Sequence, residues 1–214
     1  MNDNTNLRQQ INQAAAVVQS GGVVAFPTDT FYGLGCDPFN AKAVEKIFQI
    51  KQRPNDKAIL LLIASLIALE QIVLPLAEES TINRRFQLLR SHYWPGPLTI
   101  VLPAHSELPA NLVSARHTVG VRYPNYLPAQ ELAAAVGGAI TATSANLAGY
   151  PSVSSASGVR AQLGDSVDFI LDVGNSPGGA PSSVIDLTVE PPQLVREGAI
   201  NRASLMALLD RLAV

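Results

Sequence analysis

Thr28, Asp29 and Thr30 place two hydroxyls and a carboxylate in three consecutive residues, and Lys51, Arg53 and Lys57 place three cations within seven, with Asp56 the only acid among them. Hydroxyls hydrogen-bond oxygen-rich ligands and cations neutralise them, so a fold that brings these two groups together makes an anion site. Taken alone, Lys51 and Arg53 are equally well explained as favouring the negative end of a helix dipole, an effect of roughly 0.3–1 kcal/mol at an exposed surface. A third cluster, Thr143, Ser144 and Asn146, closes the run A-I-T-A-T-S-A-N. Its side chains either stabilise a turn or hydrogen-bond a nucleotide or its phosphates. Arg122, between Val121 and Tyr123, is the odd member of an apolar run. A cation there is costly unless paired, so it is either one half of an ion pair or a clamp on a ligand.

The elements that must position these residues follow from periodicity and punctuation. Residues 23–26 suit a buried strand stopped by Pro27, and Gly33 and Gly35 let the backbone pass close to a neighbour or ligand. Asn40 is a good N-cap for a helix that faces the core through Val44, Ile47 and Phe48 and ends by Pro54, before a strand at 59–63 that suits the middle of a sheet. That order can bring both polar segments to one edge of an α/β sheet, where such sheets bind ligands. Further helices are expected at 5–19, with Thr5 or Asn6 as cap, after Ser65, at 81–93 with Arg84, Arg85 and Arg90 on a solvated face, at 128–136, at 155–163, and at 205–212 after Asn201. Strands are expected at 98–102, 118–124, 139–144 and 167–173, and as a pair at 182–187 and 193–196. The stretch 174–181, with three Gly and two Pro, is a loop of the kind that often forms a lid.

Composition narrows the chemistry. A chain of 214 residues, 47% hydrophobic, supports one sizeable core, with a single domain as the default. Fifteen basic residues against 17 acidic give no bulk attraction to nucleic acid or membrane, so any basic site is local. The single Cys36 fits a reducing compartment and a role as a small buried hydrophobe. The N-terminus has no apolar signal-like stretch and no run reaches the roughly 18 apolar residues of a membrane span, so a cytoplasmic chain is expected. Neither a dinucleotide fingerprint nor a Walker loop occurs, and His92, His105 and His117 lack metal-ligand spacing. What remains is a site of hydroxyls and cations, suited to holding an anionic substrate.

The runs P-T-D-T-F-Y-G-L-G at 27–35, K-Q-R-P-N-D-K at 51–57, W-P-G-P-L-T at 94–99, V-G-V-R at 119–122, T-S-A-N at 143–146, S-S-V-I-D-L at 182–187 and V-R-E-G-A-I at 195–200 resemble, in order and along nearly the whole chain, the YrdC family of threonylcarbamoyl-AMP synthases. The most specific part is the K-x-R pair followed by S-x-N, here Lys51, Arg53, Ser144 and Asn146. The resemblance implies an α/β fold: a twisted, mixed parallel and antiparallel sheet with flanking helices around a concave electropositive cavity, residues 1–214 forming a single domain of the short form. It implies a nucleotidyltransferase that makes threonylcarbamoyl-AMP and pyrophosphate from L-threonine, bicarbonate and ATP, the first step toward threonylcarbamoyladenosine in tRNA. By position, Lys51 and Arg53 would be catalytic. Arg53, Lys57, Thr118, Ser144, Asn146, Ser152 and Arg196 would contact ATP, and Thr30, Arg122, the Ala142 backbone and Ser182 would contact threonine. Mg²⁺ would accompany ATP with no protein ligand set identifiable. Partners would include tRNA and downstream threonylcarbamoyl-transferase proteins, with no membrane. The chain departs from many longer members in having Leu62 where they carry a His. Two other readings are a module that binds double-stranded RNA or tRNA through phosphates, and an enzyme handling a carbamoyl-adenylate for another acceptor.

Overall fold

The computed structural model describes residues 2–52 and 59–212. Among these, nine strands form one mixed sheet in the order β7-β1-β2-β6-β3-β5-β4-β8-β9. They are β1 (Val24–Phe26), β2 (Gly33–Gly35), β3 (Leu60–Ile63), β4 (Leu98–Pro103), β5 (Thr118–Arg122), β6 (Ala139–Ser144), β7 (Phe169–Ile170), β8 (Ser183–Asp186) and β9 (Gln193–Arg196). The pairs β1/β7, β3/β5 and β4/β8 run parallel, and the remaining neighbours are antiparallel. The flanking helices are α1 (Asn2–Gln19), α2 (Ala41–Lys51), α3 (Thr81–Tyr93), α4 (Leu127–Ala135), α5 (Ala156–Leu163) and α6 (Arg202–Leu209).

The cavity originates in how the helices divide between the two faces. Strand side chains alternate, so Leu61 and Ile63 of β3 point one way and Leu62 the other. On the first face α2, α3, α5 and α6 bury Val44, Ile47, Phe86, Leu89, Val159 and Leu205 in one cluster with Val23, Leu61, Ile100 and Val121 of the sheet side. On the second, α1 and α4 bury Ile11, Val18 and Leu132 against Val24, Phe26, Leu62 and Ile140. Those two helices cover the β7, β1, β6 and β3 part of their face and leave Thr99, Val101, Gly120 and Val184 to form a concave floor.

Several elements differ from expectation, each for a local reason. Strand β2 replaces what reads as loop, because Gly35 permits an approach to β6 that no side chain would: a Cβ there would lie 2.6 Å from the Thr141 carbonyl oxygen and 2.7 Å from the Phe26 ring. The strand expected at 167–173 is confined to Phe169–Ile170, pairing only with Val24 and Ala25. After Ser65 the chain forms a 3₁₀ segment, Leu66–Gln71, whose first turn the Ser65 side chain does not cap. Thr5 and Asn6 lie inside α1 rather than at its start. Asn40 caps α2 as expected, accepting from the Lys42 and Ala43 amides, and α2 ends at Lys51 with Gln52 in the left-handed region, while Pro54 lies outside the described residues. Arg85 is no free surface cation, since its guanidinium meets both oxygens of Glu190.

Candidate active site

The open part of the sheet is the floor of a cavity of about 810 Å³. Its described lining carries two guanidinium groups, Arg122 and Arg196, a series of hydroxyls, and no carboxylate. Thr30, Thr118, Arg122, Ala142, Ser144, Ser152, Ser182 and Arg196, all picked out from the sequence, line this one space. Lys51 and Asn146 stand behind its wall, both buried. Arg53 and Lys57 lie outside the described residues.

At one end sits Arg122, the last residue of β5, whose side chain is 4% exposed. Its NH2 pairs with Asp29 Oδ1, Nε donates to the Gly96 carbonyl at 3.1 Å, and NH1 donates to Thr30 Oγ1 at 3.3 Å. Burial lowers the guanidinium pKa and the Asp29 carboxylate pushes it back up. The ion pair, one of the two alternatives open from sequence, is thus formed, while Arg122 also lines the cavity and its fork has more N–H groups than these three bonds use. Thr28 Oγ1 donates its single proton to Phe31 O, so the 3.1 Å contact between the Thr28 and Thr30 hydroxyls has Thr30 as donor. Thr30 therefore turns an acceptor toward Arg122 and the cavity.

Along the opposite wall Arg196 donates through Nε and NH2 to the Ser182 carbonyl at 3.1 and 2.8 Å, and through NH2 to its hydroxyl at 3.1 Å. Ser182 Oγ in turn lies 3.0 Å from Thr99 Oγ1. Gly198 makes this possible: a Cβ there would lie 2.2 Å from Pro181 O, so only glycine lets the E-G-A-I turn close on Ser182 and Ser183. Ser183 Oγ then bonds the turn at the Gly198 and Ile200 amides. At the far end, the Ser114 and Thr118 hydroxyls meet at 2.7 Å.

The 174–181 segment, expected as a lid, is fastened down over its first half. Tyr32 Oη donates to Gly174 O at 2.7 Å, Ser176 Oγ accepts from the Thr28 amide, and the Gly178 amide donates to Thr30 O. Burial, aided by Asp172, pushes Tyr32 up to about 12, keeping it a donor. This segment reads G-N-S-P-G, which matches a hydrolase elbow in letters, but Ser176 is buried in a loop with Pro177 after it rather than at a strand-to-helix turn. Sequence reasoning placed Thr28 in the hydroxyl cluster but missed Asp29 as the partner of Arg122, and missed Thr99 and Val184 as lining. The alternation of β4 and β8 was the available signal for the last two.

A family model for Sua5, YciO and YrdC, described as "Telomere recombination", matches residues 16–198. The chain belongs to the Sua5/YciO/YrdC family. A relative from Idiomarina loihiensis named threonylcarbamoyl-AMP synthase is 42% identical over 178 residues, covering 81% of this chain and 91% of the relative. One of the same name from Bacillus subtilis is 35% identical over 96% of this chain and 58% of its own length. The crystal structure of P. abyssi Sua5 complexed with L-threonine superposes with a TM-score of 0.85 at 37% identity, over 92% of this chain and 56% of that one. The chain thus spans most of one relative and little more than half of the other two. The mixed α/β sheet with flanking helices is that of the family's solved structures. No described helix is long and apolar enough to cross a membrane.

Proposed function

We propose that this chain is an L-threonylcarbamoyladenylate synthase, making threonylcarbamoyl-AMP and pyrophosphate from L-threonine, bicarbonate and ATP. The observation that carries the reading is a single cavity with a paired, oriented guanidinium at one end and hydroxyls with a second guanidinium along the rest. Arg122 takes the threonine carboxylate as a planar fork, with Thr30, Ser182 and the Ala142 backbone around the rest of the amino acid. Thr118, Ser144, Ser152 and Arg196 hold the nucleotide, joined by Arg53 and Lys57 from the K-x-R segment.

Catalysis in this reading is mainly positioning and charge stabilisation. The threonine amine combines with bicarbonate to give the carbamate and water. A carbamate oxygen then forms a bond to the α-phosphorus as the bond from that phosphorus to the bridging oxygen breaks, and pyrophosphate leaves with the electron pair. Mg²⁺ enters as part of the nucleotide substrate, since the described lining offers hydroxyls and guanidinium groups rather than the carboxylates a protein-held Mg²⁺ would use. The product is an activated acyl donor suited to modification of tRNA by a second protein.

The test is to incubate the protein with ATP, Mg²⁺, bicarbonate and L-threonine and to measure pyrophosphate and the adenylate by mass. Both are expected only when threonine and bicarbonate are present. An adenylate that forms without threonine would assign another acceptor, and salt-sensitive RNA binding without product would make the cavity a binding surface.

A further inference from the structure

Lys51 and Asn146, half of the K-x-R and S-x-N signature, do not line the cavity, yet they hold the turn that presents Ser144 to it. We propose that Lys51 is a positioning residue: its buried ammonium clasps the S-A-N turn and so sets Ser144 against the nucleotide. The proposal rests on the nucleotide reading of the cavity given above.

A lysine in the last turn of a helix ordinarily serves its own helix's carbonyls or reaches solvent. Lys51 ends α2 at 3% exposure, and its Nζ reaches across to another segment, donating to the Ser144 carbonyl, to the Asn146 carbonyl at 2.8 Å, and to Asn146 Oδ1 at 3.5 Å. Two backbone carbonyls that converge on one point repel unless a donor stands between them, and a buried cation is tolerable only with such acceptors. Each therefore requires the other. The Lys51 carbonyl adds a second tie, accepting from the Ala148 amide at 3.1 Å, so both polar ends of the residue grip the same turn.

The rest of the loop is closed by the side chain the signature places two residues after Ser144. Asn146 Nδ2 donates to Leu147 O at 2.9 Å and to Tyr150 O at 2.6 Å, and Gln162 spans from the Leu147 amide to Pro151 O. On its other side Ser144 pairs with Gly33 in the sheet. Its backbone is thus fixed from the front by the β2/β6 ladder and from behind by Lys51. The signature spacing follows from this: one residue separates two carbonyls that must face the same ammonium.

The test uses amide hydrogen exchange and ligand binding on the whole protein. In Lys51→Ala and in Asn146→Ala, amides of residues 144–150 are expected to lose protection selectively, and ATP affinity to fall about ten- to a hundredfold, the scale at which misplacing a contact residue acts. Threonine binding should be unchanged, and the double variant should be little worse than either single one, because both changes release the same turn. Should Lys51→Ala not fold, Asn146→Ala, which keeps the ammonium, is read by the same criteria. Loss of ATP binding or turnover with 144–150 protection intact, or strictly additive losses in the double variant, would overturn the proposal and make Lys51 a direct contact of the phosphates. The exchange readout does not depend on any turnover, so failure of the synthase reading would show separately, as wild-type protein that forms no adenylate.

Discussion

At the scale of single residues, the cavity depends on charges that are held by partners. Arg122 and Asp29 are 4% and 11% exposed, so removing either leaves the other buried and uncompensated. Arg122→Ala is expected to lose about 3 kcal/mol of stability by urea unfolding, while Arg122→Leu combined with Asp29→Asn should recover a good part of that loss. Equal losses in the single and double variants would mean the pair is not the source of the cost. Asp186 gives a prediction in pH. Burial would raise its carboxyl, but bonds from the Thr188 hydroxyl and amide and from Arg116 more than offset this and hold it below the usual carboxylate value. A group depressed in the folded state adds stability that is fully present above its unfolded pKa, about 3.9, and is lost as pH falls through the folded value. The wild type should therefore unfold at higher temperature than Asp186→Asn at pH 6, and the gap should shrink as pH drops below about 4. A gap that stays constant down to pH 3 would remove Asp186 as its cause. Cys36 has no such role: burial pushes its thiol up to about 12, in keeping with a small core side chain.

At the scale of elements, the close approach of β2 to β6 is what lets the T-D-T turn and the S-A-N turn face one cavity. Gly35→Ala puts a methyl group 2.6 Å from a backbone carbonyl, which side-chain adjustment cannot relieve, and a loss of about 3 kcal/mol is expected. Gly33→Ala in the same strand meets its nearest atom at 3.5 Å, an ordinary contact, and should change stability by less than about 1 kcal/mol. Thermal unfolding of the two variants side by side checks this, and similar losses in both would argue against close approach as the reason. The strands with branched or apolar runs, such as β3, β4 and β5, were legible because alternation and burial agree with their composition. Strand β2 was not, since G-L-G has no strand propensity and exists only through its partners. For the same reason the contact between Lys51 and the S-A-N turn was not legible: nothing local in K-Q-R or S-A-N says that one ammonium will be buried against the other segment's carbonyls. The loop at 174–181 read as a lid from its Gly and Pro content, whereas its bonds to Thr28 and Thr30 come from residues nearly 150 positions away.

At the scale of the molecule, the cavity is bordered by parts that are distant in sequence: the 28–33 turn, β5, the end of β6 and the 181–196 hairpin. A ligand that touches several of them binds only the folded chain, so its binding energy adds to the stability of the whole. For a ligand present at 100 times its dissociation constant the gain is about 2.7 kcal/mol, and for a chain of this size that raises the unfolding midpoint by about 5–10 °C. On the proposed reading, L-threonine is expected to produce such a shift in the wild type, without ATP, because its carboxylate would meet the Arg122 fork already oriented by Gly96 and Asp29. The Arg122→Leu, Asp29→Asn double variant provides the control. Its fold is expected to be substantially recovered, yet it lacks the Arg122 guanidinium, so its midpoint should not respond to threonine while still responding to ATP. A threonine shift that persists in the double variant would place the amino acid elsewhere, and the loss of both shifts would mean that the two ends of the cavity are not independent sites.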